Sequence, residues 1–171
     1  VVCYTLQLPQ GTQSPYDIIN TSVSCTRNAQ CLGSSSKLIF LFLSGLRKLP
    51  RYRVPAGKML YRGIRKRVPL TSAEANGHQC YAKDQVVTWW GFTSTTTDKE
   101  VTNAFIEEAP QSTFFEISGK DLWGYSLVPF SQYPEECEIL LEPEAKVKVT
   151  SVVKHGRTAL TITVEHQPGE H

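Results

Sequence analysis

The last two-thirds of this chain constrain its fold most strongly, because they consist of short segments rich in β-branched and aromatic residues. Turn-forming residues separate these segments, which is typical of strands joined by short connections. We predict strands over residues 58–64, 86–92, 113–117, 136–141, 147–154 and 160–165. His155-Gly156-Arg157 predicts a tight hairpin between the last two strands. The sheet is therefore expected to be largely antiparallel.

The first third of the chain is predicted to be helical. Residues 15–25 place Ile18, Ile19 and Val23 at helical spacing. A second helix is expected over residues 37–48, with its N-cap in Ser34-Ser35-Ser36. Its buried stripe is expected to comprise Leu38, Leu41, Phe42 and Leu46.

A third, shorter helix is predicted within the series of strands. Thr97-Asp98-Lys99-Glu100 has the form of a capping box, whose first and last side chains bond to each other's backbone N–H groups. This helix is expected to continue to about Ile106. Helices first, followed by strands with one helix among them, indicate the α+β class.

The size and charge of the chain limit its function classes. Its 171 residues suit one domain, and no repeat or linker divides it. A formal net charge of +2 argues against general polyanion binding, although nine of the 18 cations fall within residues 47–67. That cluster can attract a phosphate-bearing ligand or form a solvated basic face. The chain shows no nucleic-acid motif, so nucleic acid is not an expected partner.

The five cysteines do not indicate a metal site, because they include no CxxC pair and only four histidines accompany them. Cys25 and Cys31 can form a disulfide or remain free thiols. The sequence shows no initiator methionine, signal peptide or apolar run long enough to span a bilayer. We therefore expect a mature fragment or a domain of a longer protein, and the sequence leaves its compartment open.

The sharpest local motif is Glu136-Cys137-Glu138, which precedes the apolar run Ile139-Leu140-Leu141. On a strand, side chains alternate between faces, so both carboxylates would leave the same face about 7 Å apart. Two like charges at that spacing raise the pKa of at least one of them in a half-buried site. The motif fits either a functional carboxylate pair or a solvent-facing acidic edge.

Two further segments carry groups suited to ligand binding. In Tyr61-Arg62-Gly63 the guanidinium offers a fork of donors suited to phosphate, and the glycine allows close approach to the backbone. A surface arginine on an edge strand is the alternative. In the hydroxyl-rich run that follows Phe92, Ser94 is interpreted as a positioning residue, since no GxSxG motif surrounds it.

Together these elements resemble one family more specifically than any of them does alone. An arginine strand, an aromatic and hydroxyl-rich strand and a Glu-x-Glu strand, in this order, are shared by the arginine-type mono-ADP-ribosyltransferases. The resemblance covers residues 16–165, and the third residue of the usual Ser-Thr-Ser is Thr96 here, which keeps a hydroxyl. The matching segments are Leu60-Tyr61-Arg62-Gly63, Trp90-Gly91-Phe92-Thr93-Ser94-Thr95-Thr96 and Pro134-Glu135-Glu136-Cys137-Glu138-Ile139-Leu140-Leu141.

The resemblance implies N-terminal helices packed on a split, mainly antiparallel sheet around an NAD cleft, in a single catalytic domain over residues 1–171. It implies that NAD⁺ is a substrate and that no metal is needed. Arg62 would bind the phosphate and ribose, and the Gly63 backbone would hold the nicotinamide carboxamide. Phe105 would stack on nicotinamide, with a core phenylalanine as the alternative.

The resemblance also assigns the reacting groups. Glu138 would be the catalytic glutamate, with Ser94 orienting it, and Glu136 would favour an arginine acceptor on another protein. Residues 121–135 correspond to the target-recognition loop of the family, in which Tyr133 would contact the acceptor, whereas Trp123 can equally belong to the core. The domain is expected to be monomeric.

Three alternatives remain open from the sequence. The same fold can support an NAD⁺ glycohydrolase, in which water is the acceptor. A catalytically silent domain that binds NAD⁺ or a partner is the second alternative, although it would have no reason to keep Glu138. A nucleic-acid module using the cations of residues 47–67 is the third.

Overall fold

The computed structural model describes residues 15–24, 29–106 and 109–168. The helices are α1 (Pro15–Ser24), α2 (Ala29–Leu46), α3 (Ser72–Ala75) and α4 (Lys99–Ile106), and two 3₁₀ turns cover Val128–Phe130 and Pro134–Glu136. The strands are β1 (Arg51–Arg53), β2 (Leu60–Ile64), β3 (Val86–Trp89), β4 (Thr93–Thr96), β5 (Ser112–Ser118), β6 (Trp123–Ser126), β7 (Glu138–Leu141), β8 (Ala145–His155) and β9 (Ala159–Gln167). The α+β class is confirmed.

The nine strands form a sheet in the order β1-β6-β7-β4-β2-β5-β9-β8-β3. The pairing of β5 with β9 is parallel, and the other pairings are antiparallel. Strands β2 and β4 are joined by one residue pair, Tyr61 with Thr96. The sheet is therefore nearly split into two halves at this joint, as the sequence resemblance implies.

The buried side chains form two clusters, and strand β7 contributes to both. Leu60, Phe115 and Ile162 belong to the larger cluster, which also includes Ile139 and Leu141 of β7. In the smaller cluster, α1 and α2 bury Ile19, Phe42 and Leu46 against β6 and β7, where Leu140 has no exposed surface. The N-terminal helices therefore pack mainly on the half of the sheet that carries β4 and β7.

Helix α2 differs from the prediction in its start and in its buried face. It begins at Ala29, so Ser34-Ser35-Ser36 lie inside the helix and do not cap it. Residues 29–32 (Ala-Gln-Cys-Leu) include good helix formers, which allow the helix to extend upstream of the serines. Leu41 is 67% exposed while Phe42 and Leu46 are buried. Successive helical residues turn by about 100°, which takes Leu41 out of the row formed by residues 38, 42 and 46.

The short helix α4 begins at Lys99, and its capping differs from the predicted box. The backbone N–H of Glu100 donates to Asp98 Oδ1 at 2.9 Å. Asp98 therefore caps the helix in place of Thr97, one residue later than expected. Aspartate is as good an N-cap as threonine, and its charge also suits the positive end of the helix.

Several strands also differ from the prediction. The strand predicted over residues 86–92 is two strands, since β3 ends at Trp89 and β4 begins at Thr93. Strands β1 and β6, which pair with each other, and the short helix α3 were not predicted. The hairpin between β8 and β9 is confirmed, with Gly156 at a positive φ of 64° in its turn.

The outer edge of β3 is covered by a side chain. Gln79 donates from Nε2 to the carbonyl of Thr88 at 2.9 Å and accepts the Thr88 N–H at Oε1, at 2.7 Å. A carboxamide thus makes the two hydrogen bonds that a neighbouring strand would make. Edge strands with free backbone groups can pair with other chains, and this contact removes one such pair of groups.

Gly124 on β6 allows the close approach of β7, and its replacement is expected to destabilise the fold. A Cβ at this position would lie 2.6 Å from Ile139 Cγ2 and 2.8 Å from the Leu140 carbonyl oxygen. Because a backbone atom cannot move aside easily, Gly124→Ala should lower the free energy of unfolding by about 1–3 kcal/mol. Urea unfolding measures this loss. Exposed Lys120→Ala is the control, and equal stability of the two variants would contradict the prediction.

Candidate active site

The joint between the two halves of the sheet is bridged by a side chain. One Nη atom of Arg62 on β2 donates to the backbone carbonyl of Ser94 on β4, at 2.8 Å. The pairing of these strands is limited to Tyr61 and Thr96, so the guanidinium bonds a carbonyl just past the point where the strands separate. Gly63, next along β2, has a partner on β5 but none on β4 among the described strands. Its backbone therefore has no strand partner on the side of β4.

Ser94 and Glu138 come together across β4 and β7. Thr96 lies opposite Glu138 and Ser94 lies opposite Leu140, which places Ser94 and Glu138 on the same face as diagonal neighbours. The Ser94 side chain lies close enough to the Glu138 carboxylate to lower its pKa as a hydrogen-bond donor. The structure thus brings Arg62, Ser94 and Glu138 together at the joint.

Burial raises the pKa of the half-buried Glu138 carboxyl above its usual value, and the negative charge of Glu136 adds to the rise. The hydrogen bond from Ser94 and the positive charge of Arg62 act in the opposite direction. Both of these contacts favour the ionised form. The site therefore holds a partly desolvated carboxylate beside a donor and a cation.

Glu136 does not lie on the strand, and the predicted alternation across Glu136-Cys137-Glu138 is wrong. Glu136 ends the 3₁₀ turn Pro134–Glu136, and Cys137 follows in the left-handed region with a φ of 48°. The proline suits the first position of such a turn because its φ is fixed and it has no N–H to satisfy. Strand β7 therefore begins at Glu138.

The two carboxylates nevertheless remain electrostatically coupled, since Glu136 contributes to the raised pKa of Glu138. The pKa of Glu136 itself is also raised, first by burial of its carboxyl and then by the charge of Glu135. Glu136 as a residue is exposed, whereas Glu138 is half-buried. The pair thus offers one accessible carboxylate beside one sheltered one.

A cleft of about 550 Å³ opens beside Arg62, which is in the range of small-molecule sites. Tyr81, Trp89 and Phe115 form an aromatic wall, in which Trp89 donates from Nε1 to the Tyr81 hydroxyl at 3.1 Å. Burial raises the pKa of Tyr81, and the charge of Arg62 opposes that rise. Lys66 and Gln79 also line the cleft.

This wall was not anticipated from the sequence. Tyr81 and Trp89 are eight residues apart and lie on either side of a turn, so no helical or strand periodicity connects them. The aromatic residues before Phe92 are the signal that the sequence offers for such a wall, and by themselves they predict only a strand. The contact between the two side chains depends on the tertiary fold.

The remaining predicted site residues lie in two regions. Phe105 belongs to α4, but its side chain lies outside the described part of the structure. Tyr133 is half-buried and immediately precedes the turn that ends at Glu136. In the same connection, Phe130 is 42% exposed. Trp123 packs against the core, and the Arg51 guanidinium carbon lies over its ring, 4.5 Å from the ring centroid.

The part of the chain that the structure describes shows neither a metal site nor a helix that could span a membrane. Within residues 15–24, 29–106 and 109–168, no three metal-ligating side chains cluster in a way that could hold an ion. No helix in these ranges is long and apolar enough to cross a membrane. Cys80 and Cys137 are free thiols. The alternatives for Cys25 and Cys31, a disulfide or free thiols, stay open because Cys25 lies outside the described residues.

Solved structures with the same fold include ADP-ribosyltransferases. The Vis toxin of Vibrio splendidus in complex with agmatine is 23% identical with a TM-score of 0.64, covering 91% of this chain and 69% of that one. HopU1 of Pseudomonas syringae is 20% identical with a TM-score of 0.65, covering 96% and 73%. Exoenzyme S of Pseudomonas aeruginosa, with human 14-3-3 protein beta and carba-NAD, is 16% identical with a TM-score of 0.54, covering 88% and 66%.

No curated protein sequence matches the chain. The model of the NAD:arginine ADP-ribosyltransferase family, in contrast, matches residues 27–167. That match covers most of the chain and includes Arg62, Ser94, Glu136 and Glu138. The chain belongs to the NAD:arginine ADP-ribosyltransferase family.

Proposed function

We propose that this chain cleaves the nicotinamide–ribose bond of NAD⁺ and transfers the ADP-ribose to an arginine side chain of another protein. The observation that carries the proposal is the meeting of Arg62, Ser94 and Glu138 at the joint of the sheet, beside a cleft that Arg62 also lines. A dinucleotide needs a cation for its phosphates and a carboxylate near its reacting ribose. This joint offers both within one site.

The chemistry of NAD⁺ explains why a buried carboxylate is useful. Nicotinamide leaves as a neutral pyridine, so the bond needs no general acid, and the transition state develops positive charge on the ribose. A fixed carboxylate that accepts a hydrogen bond from a ribose hydroxyl stabilises that charge as it develops. Glu138 is proposed for this role, with Ser94 holding the carboxylate in place.

An arginine acceptor requires a second carboxylate. The guanidinium is a poor nucleophile while protonated, because its pKa lies above about 12. An accessible carboxylate next to the reacting ribose can align the guanidinium and take a proton as attack proceeds. Glu136 is exposed and lies next to Glu138, which fits this role. The Vis structure with agmatine, a guanidinium compound, supports a guanidinium acceptor.

The proposed binding groups for NAD⁺ belong to β2 and α4. Arg62 would contact the phosphates and ribose, and the Gly63 backbone would hold the nicotinamide carboxamide where β2 and β4 separate. Phe105 is proposed to stack on nicotinamide, and Tyr133 to contact the acceptor protein. The structure of Exoenzyme S with carba-NAD supports a dinucleotide as ligand for this fold.

The test of the proposed function compares NAD⁺ alone with NAD⁺ plus agmatine. Nicotinamide release, free ADP-ribose and ADP-ribosyl-agmatine are quantified by chromatography. We expect agmatine to divert ADP-ribose from water to the guanidinium product. Free ADP-ribose formed at an unchanged rate would instead identify a glycohydrolase, and no nicotinamide release in either mixture would contradict enzymatic activity.

Arg62→Lys is expected to raise the KM for NAD⁺ by about 10- to 150-fold. Lysine keeps the charge but loses the planar fork of donors, and hydrogen bonds to charged groups contribute about 1.5–3 kcal/mol, which corresponds to that range. Steady-state nicotinamide release at varied NAD⁺ concentration measures the KM. Arg157→Lys, at the exposed hairpin turn, is the control. An unchanged KM in the Arg62 variant would rule out its proposed role.

A further inference from the structure

The hydroxyl of Thr96 links two parts of the candidate active site. Its Oγ1 donates to the backbone carbonyl of Glu136 at 2.7 Å and accepts the backbone N–H of Asp98 at 2.9 Å. Asp98 in turn caps α4 through the N–H of Glu100. One hydroxyl therefore joins the turn that carries Glu136 to the start of the helix that carries Phe105.

The position of Thr96 makes this link rigid. The residue is 6% exposed, lies opposite Glu138 in the pairing of β4 with β7, and is also the residue that joins β4 to Tyr61 of β2. Glu136, in contrast, lies outside the strand ladder, after a 3₁₀ turn and before the left-handed residue Cys137. The Thr96 hydroxyl therefore fixes the carbonyl of a residue that no strand pairing holds.

Glu138 does not depend on this hydroxyl in the same way. It is the first residue of β7, and its carboxylate is held by Ser94 and faces the charge of Arg62. Loss of the Thr96 hydroxyl would release Glu136 and its turn while the strand that carries Glu138 keeps its partners. The two carboxylates thus have separate supports.

We infer that Thr96 is a positioning residue that sets how ADP-ribose is divided between a guanidinium acceptor and water, by holding the Glu136 turn in place. This inference rests on the proposed function, since it concerns the acceptor half of the same reaction. It also gives a role to the one departure from the Ser-Thr-Ser pattern. Any residue with a β-hydroxyl can make both bonds, so threonine replaces serine here without loss of the link.

The test measures the ratio of ADP-ribosyl-agmatine to free ADP-ribose for Thr96→Val, which keeps the shape of the side chain and removes its hydroxyl. A displacement of about 1 Å in a group that orients a reactant costs on the order of 100-fold in rate. We therefore expect the ratio to fall by about 10- to 100-fold, with nicotinamide still released. Both products come from the same enzyme molecules, so the ratio does not depend on the fraction that folds.

Two variants distinguish a positioning role of Thr96 from an effect on the stability of the fold. Thr95→Val removes the neighbouring buried hydroxyl, which donates to the Ile139 carbonyl at 2.6 Å, and should leave the ratio at its wild-type value. Thr96→Ser keeps a hydroxyl and should restore the ratio. If Thr96→Val yields no soluble protein, the same ratio is measured for Thr96→Ala.

The outcomes distinguish this inference from the proposed function. If the wild type forms no ADP-ribosyl-agmatine, the proposed function itself fails. If the wild type forms that product and Thr96→Val, or Thr96→Ala in its place, keeps the wild-type ratio or loses nicotinamide release altogether, the inference is overturned. An equal fall in the ratio for Thr95→Val would also overturn it, because the effect would then belong to the strand and not to the Glu136 turn.

Discussion

Glu138→Gln is expected to lower the rate of nicotinamide release from NAD⁺ by about 100- to 1000-fold, the usual cost of losing one preorganised group that stabilises developing charge. Glutamine keeps the size of the side chain and can still bond Ser94, but it carries no negative charge to oppose the charge on the ribose. Nicotinamide release at saturating NAD⁺ measures the loss. Glu165→Gln, an exposed carboxylate on β9, is the control and should retain full activity.

The same substitution should stabilise the fold at neutral pH. Burial raises the pKa of Glu138 in the folded state above the ordinary value of 4.5, so the folded state holds this proton more tightly than the unfolded state. Ionisation therefore costs stability as the pH rises from 4.5 through the raised pKa, and Gln removes that cost. Thermal unfolding should show a higher Tm for Glu138→Gln at pH 7 and no gain below pH 4.5.

The pH dependence of activity should run in the opposite direction. Only the ionised carboxylate stabilises the positive ribose, so nicotinamide release should increase with pH through a midpoint above 4.5. A midpoint at or below the ordinary glutamate value would contradict the role of burial. A Gln variant that is both active and less stable than the wild type at neutral pH would contradict the assignment of Glu138 as a whole.

Glu136→Gln is expected to reduce transfer to agmatine by about 100- to 10,000-fold, which is the range for removal of a general base. Nicotinamide release without an acceptor should persist, because Glu138, Ser94 and Arg62 remain. The two reactions are measured as ADP-ribosyl-agmatine and free ADP-ribose from the same mixture. The expected result is therefore conversion of a transferase into a glycohydrolase.

Glu135→Gln is the matched control for this variant, since it removes a carboxylate from the same turn. Glu135 is exposed, and its charge acts on the pKa of Glu136. Its loss should leave agmatine transfer within the same order of magnitude as the wild type. If Glu136→Gln lowers both reactions equally, Glu136 acts on the ribose or on the fold, and its proposed role with the acceptor is wrong.

Much of the fold could be predicted from the sequence because β-branched and aromatic segments mark the longer strands directly. Strands β8 and β9 and their hairpin are examples. Strand β1 could not be predicted, because the three residues Arg51-Tyr52-Arg53 are too few to show a strand period, and they become a strand through their pairing with β6. Strand β6 contains Gly124, a residue type that is depleted in strands and is explained here by the close approach of β7.

The family resemblance led us to expect Arg62, Ser94 and Glu138 in one site, and the structure places these three residues together. Their roles stay predictions. The placement of Glu136 on a strand was wrong because Pro134 begins a 3₁₀ turn and Cys137 adopts a left-handed conformation that residue type alone does not indicate. The two hydrogen bonds of the Thr96 hydroxyl could not be predicted either, because they depend on which backbone groups the turn presents.

The contact between Gln79 and Thr88 has a consequence for ligand selection. Gln79 also lines the cleft beside Arg62, and both ends of its carboxamide are already bonded to the β3 backbone. To follow an incoming molecule, the side chain would have to break both of these hydrogen bonds. A ligand that fits beside Gln79 as it stands therefore avoids the loss of about 0.5–1.5 kcal/mol that accompanies the immobilisation of a free side chain.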